Sequence, residues 1–117
     1  MTSAVVVLST AGSADEAERI AAVLVDERLV ACVNLVPAVT SIYRWQGAVE
    51  RATEVLMVMK TRRALTRRLI ARLQGLHSYD VPEAIVLPIG GGSRPYLDWV
   101  LGETAPARKT PRRRMRR

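Results

Sequence analysis

The sequence predicts an α+β fold: a ferredoxin-like βαββαβ sandwich with a long hairpin between its second and third strands and a short C-terminal helix. Three observations carry that prediction. Strand and helix periodicities alternate in this order, two long extended segments share a tight turn, and the two main helical segments carry opposite charge. The chain has 117 residues, 49% apolar and 25% charged, which suits one soluble domain over residues 1–103.

Ala4 to Leu8 is valine-rich and too short for a buried helix, so β-branching makes it an inner strand. Ser13-Ala14-Asp15-Glu16 has capping-box spacing: Ser13 caps an early helical amide and Glu16 reaches back to the Ser13 amide. A helix over 14–28 follows, with Ala17, Ile20, Ala21 and Leu24 on one stripe. Val30 to Tyr43 reads as one bent strand, in which Pro37 lacks a donor and favours a bulge or an edge. Trp45-Gln46-Gly47 turns the chain into a second extended segment, Ala48 to Thr61. Helical spacing returns over 62–77 through Leu65, Leu69, Leu73 and Leu76. Ala84 to Ile89 is a short strand, Gly90 to Ser93 a hinge, and a small helix begins near Arg94.

Charge divides the chain in two ways. The first helix carries Asp15, Glu16, Glu18, Asp26 and Glu27, whereas Lys60 to Arg72 holds six basic residues and no acid, so side-by-side helices match in sign. The net charge of +7 resides entirely in Arg108, Lys109, Arg112, Arg113, Arg114, Arg116 and Arg117, because residues 1–107 balance. Residues 104–117, rich in Pro and Arg, read as a disordered tail offering weak, non-specific, salt-sensitive binding to nucleic acid or another anion.

The hairpin is too long for the body. Fourteen extended residues span roughly 45 Å, against a radius of gyration of about 13 Å for a domain of this size. It must bend or protrude, and a ribbon with apolar residues on both faces calls for a partner copy. No apolar run is long enough for a membrane span, no basic segment opens the chain, and Cys32 has no intrachain disulfide partner; cytoplasmic residence is the expectation.

Ala31-Cys32-Val33-Asn34-Leu35-Val36-Pro37 and Thr40-Ser41-Ile42-Tyr43-Arg44-Trp45-Gln46-Gly47 resemble the signature of the CutA divalent-cation-tolerance family. Glu54 to Thr61, Leu76 to Glu83 and Tyr96-Leu97-Asp98-Trp99 continue the match in order and spacing, over residues 4 to about 102. The resemblance implies a cytoplasmic homotrimer of PII-like architecture, tied to tolerance of copper and other divalent metals, with metal binding but no defined enzymatic activity. Ser78 stands where the family usually has proline and Asp80 where it has glutamate; the expectation is a looser loop and a shortened carboxylate.

The candidate metal ligands are Cys32, His77 and Glu83, for copper or another divalent ion. A thiolate suits Cu(I), although a cysteine inside an apolar strand also serves as a small core residue. His77, the sole histidine, closes a helix beside Tyr79, Asp80 and Glu83, so either capping or ligation accounts for it. Tyr43, Trp45, Lys60 and Tyr79 are candidates for a small-ligand cleft between subunits, in which Lys60 and Arg62 attract an anion; the competing reading packs Trp45 and Trp99 at subunit contacts. There is no nucleophile elbow, P-loop, paired histidine or C-x-x-C, so nothing points to an enzyme. A trimeric scaffold presenting basic tails is the alternative function.

Overall fold

The computed structural model describes residues 2–104; the basic tail and the order assigned to it lie outside them, apart from Thr104. The first strand, β1 (Ala4–Ala11), outruns its apolar segment by three residues. Ser9, Thr10 and Ala11 stay in the ladder opposite Met57, Leu56 and Val55, since backbone pairing tolerates a hydroxyl side chain. In α1 (Ala14–Asp26) the Ser13 hydroxyl accepts from the Glu16 amide at 3.1 Å. Only this half of the expected capping box forms, because the Glu16 carboxylate accepts instead from the Ser78 amide at 2.8 Å.

β2 (Cys32–Trp45) and β3 (Ala48–Arg62) form the hairpin. Gln46 and Gly47 take φ of 51° and 84°, a two-residue turn with both centres left-handed, whose twist matches that of the strands. The register shifts between Val36 and Val39, where Pro37 breaks the ladder and Ala38 takes φ of 61°. Beyond Ala11 nothing among the described residues pairs with the other side of β3, so residues 39–54 form a two-stranded ribbon. The hairpin therefore both bends and protrudes: the longest dimension is 56 Å and the radius of gyration 15.9 Å.

A 3₁₀ turn (Arg63–Leu65) leads into α2 (Thr66–Leu76), followed by β4 (Ile85–Pro88) and α3 (Arg94–Glu103). The antiparallel sheet runs β2-β3-β1-β4, the strand order of a ferredoxin-like fold. Ile20 and Leu24 of α1 and Leu69 and Leu73 of α2 bury against Val7, Met57 and Met59 on one sheet face. Each such side chain contributes about 1.5–3 kcal/mol of transfer free energy. Glu27 and Arg72 join the helices through two bonds of 2.8 and 2.9 Å, and Arg72 holds the Glu27 carboxyl below its usual range.

α3 covers one end of the opposite face, where Val100 meets Ala4 and Ala31. Its C-terminal carbonyls attract guanidinium groups, as the helix dipole favours. Arg28 donates to the Gly102 carbonyl at 2.9 Å, and Arg62 donates to the Leu101 carbonyl and to Thr104 Oγ1. Thr104 is buried, and its hydroxyl donates to the Val100 carbonyl at 2.7 Å, so the ordered body runs through it. Among the described residues, nothing covers the rest of that face. Alternation along the strands places Val6, Leu8, Leu56 and Val58 there, with Val36, Ile85 and Leu87 each more than 40% exposed.

Candidate functional site

Where β1 stops and the ribbon begins, residues 78–83 cross from the end of α2 and leave a cleft of about 770 Å3. The crossing is tied down at its start. The His77 ring, whose side chain is fully buried, receives the Tyr79 amide on Nδ1 at 3.0 Å, so Nε2 carries the hydrogen and donates to the Thr10 carbonyl at 2.7 Å. The backbone N–H of His77 closes the last turn of α2 on the Leu73 carbonyl, while its ring latches onto β1 rather than onto the helix end. Ser78 adds the bond to Glu16 noted above, one that proline could not make for want of a hydrogen. The expected loosening is therefore reversed, and Ser78 fastens the loop to α1.

Tyr79 next passes close over Gly12, where a Cβ would stand 3.2 Å from the tyrosine hydroxyl. That hydroxyl donates to Glu54 Oε2 at 2.7 Å. Burial first, then the bond to Glu54, push the Tyr79 pKa well above its ordinary value, so the group remains a donor. Glu54 is 8% exposed and lies on the cleft wall with Asp80 and Glu83. Tyr43 and Trp45 of the ribbon line the same space.

The sequence-derived candidates divide among three places. Tyr43, Trp45, Tyr79 and Glu83 line the cleft. Lys60 does not belong to it: its position opposite Cys32 and Val6 puts it near the other end of the sheet, where its Nζ donates to Asn34 Oδ1. Arg62 is committed to α3, so the basic half of the expected anion site is absent and the cleft is acidic. Cys32, half-buried, lies 3.7 Å from the Tyr96 hydroxyl under α3. Its partner Lys60 stands six positions along β3 from Glu54, roughly 20 Å in extended chain. One chain thus does not bring Cys32, His77 and Glu83 together, and among the described residues no three His, Cys, Asp or Glu side chains are placed to share a metal ion.

Glu54 was not legible as a site residue, although an acid opening the run Val55-Leu56-Met57-Val58-Met59 is a signal in itself. All five aromatic residues are at least partly exposed, and the main core is aliphatic and methionine-filled. Half-exposed Trp99 stacks at a tilt on Tyr96, 5.7 Å between centroids, beside Cys32.

This architecture has close counterparts. The profile of the CutA1 divalent ion tolerance protein family matches residues 5–103. The chain belongs to the CutA family. It is 50% identical over 99 residues to the divalent-cation tolerance protein CutA of Thermus thermophilus, covering 85% of this chain and 96% of that protein. The chloroplastic CutA protein of Arabidopsis thaliana is 42% identical over 86% of this chain, which spans 55% of the longer plant protein. The crystal structure of CutA from Xylella fastidiosa superposes with a TM-score of 0.86 at 39% identity, covering 88% of this chain and 99% of that one. The Thermus thermophilus structure gives 0.85 at 49% identity, over 87% and 99%. Family membership ties the chain to divalent cation tolerance, and no helix among the described residues is long and apolar enough to cross a membrane.

Proposed function

We propose that the chain serves divalent cation tolerance as a non-enzymatic homotrimeric binding protein of the cytoplasm, with copper as the first metal to test. The uncovered apolar face of the sheet carries this reading. Val6, Leu8, Leu56 and Val58 form a continuous patch on a face that α3 covers only at one end, and an apolar surface of this kind calls for a partner. The unpaired edges of the ribbon add a second reason for association.

Metal ligation is then a matter between subunits. The Cys32 thiol is the soft donor that Cu(I) favours, and each added chain brings one more. His77 stays outside such a set, since both of its ring nitrogens already have partners. The single thiol, without an intrachain partner, supports a reducing compartment.

Light scattering on eluting full-length protein is expected to give the mass of three chains, and Cu(I) titration is expected to saturate in the parent and fail in Cys32→Ser. A monomer at micromolar concentration sinks the assembly, and unchanged copper stoichiometry and affinity in Cys32→Ser sinks the thiol site. Recovery of the native protein outside the cytoplasmic fraction overturns the assigned compartment. A scaffold presenting basic tails is the second reading, favoured by the confinement of all seven excess charges to residues 108–117. It requires oligonucleotide binding that weakens steeply with salt and disappears on truncation after Ala107.

A further inference from the structure

We propose that the acid-lined cleft between the ribbon and residues 79–83 binds an organic cation of the aliphatic polyamine class. At about 770 Å3 it lies within the usual range of small-molecule sites. Three carboxylates stand on its wall, Glu54, Asp80 and Glu83, and no Lys, Arg or His does. None of the three forms an ion pair among the described residues.

Glu54 makes the case. More than nine-tenths buried, it has the Tyr79 hydroxyl on Oε2 at 2.7 Å, while Oε1 has no partner among the described residues. One neutral donor compensates a buried carboxylate poorly, and a cation entering the cleft completes it.

The placement of these acids selects the kind of cation. Ca2+ and Mg2+ demand about six or more oxygens at about 2.0–2.6 Å, whereas no three His, Cys, Asp or Glu side chains among the described residues are placed to share any metal ion. Carboxylates dispersed along a cleft match charge dispersed along a flexible chain. Tyr43 and Trp45, 43% and 45% exposed on the same wall, offer ring faces to ammonium groups and to the methylenes between them. An anion would meet only like charge. This inference goes beyond the metal-tolerance reading, since the acids and aromatic rings it invokes are distinct from Cys32.

Spermidine titrated calorimetrically into the full-length protein at fixed ionic strength is expected to saturate at one site per chain. Glu54→Gln keeps an acceptor for Tyr79 but removes the charge, and is expected to weaken binding by about tenfold or more. Asp80→Asn, at an exposed position, is expected to cost about threefold. Asp26→Asn, at the far end of α1, leaves affinity unchanged. Equal affinity in the parent and both cleft variants overturns the proposal, as does Mg2+ competing at equimolar concentration, or a lysine or arginine of a second copy filling the cleft in a crystal of the assembled protein. A failed copper titration leaves all of these outcomes intact.

Discussion

At the scale of single residues, Ser78 and Glu16 show how one backbone hydrogen decides a local structure. Burial is the largest single influence and works against the Glu16 charge, but hydrogen bonding from Ser78 and the nearby positive charge together outweigh it, and the carboxyl is held below its usual range. A carboxyl whose folded pKa is lowered contributes stability that is present above its unfolded pKa and lost as the pH falls through the folded one. Glu16→Gln is therefore expected to unfold at lower urea than the parent at pH 7 and to converge with it as the pH is taken from about 5 downward. Ser78→Pro is expected to flatten the same pH dependence. His77, with φ of −84° and ψ of 145°, already has the backbone shape that precedes proline. Parallel pH profiles for parent and variants would show that the bond contributes nothing.

At the scale of elements, the hairpin is held by three local devices: the left-handed Gln46-Gly47 turn, the bulge at Pro37 and Ala38, and the ladder itself. A two-stranded ribbon is marginal by itself, so the part beyond Ala11 depends on its turn. Gly47→Val forces a β-branched residue into φ of 84° and is expected to cost upward of about 1 kcal/mol. Its measurable sign is faster amide exchange across residues 39–54, with the core strands unaffected. Exchange accelerating evenly over the whole sheet would mean that the ribbon and body open together.

At the scale of the whole molecule, one sheet face is built for helices and the other for a different cover. The helix side buries Val7, Met57 and Met59 completely, while the alternate residues of the same strands are left half-buried. Val58→Glu introduces a charge in the middle of the open face without touching the helix-side core. It is expected to leave the far-UV circular dichroism unchanged and to release monomers in light scattering. Retention of the parent mass would move the subunit contact to another surface.

The sequence by itself determined the order of elements, the turn at Gln46-Gly47, the helix stripes and the confinement of excess charge to the tail, because each depends on neighbours a few positions apart. Val55-Leu56-Met57-Val58-Met59 reads as a strand from composition alone, for example. Which functional side chains meet was decided only by the tertiary structure. Tyr79 and Glu54 are 25 positions apart, and they meet because the chain crosses the end of β1 over Gly12. Lys60, close in sequence to the expected ligand site, lies at the other end of the sheet because a strand advances about 3.3 Å per residue. Local spacing carries a hydrophobic period, whereas a cleft is assembled from long-range pairings, and here those pairings turned an expected anion site into an acidic one.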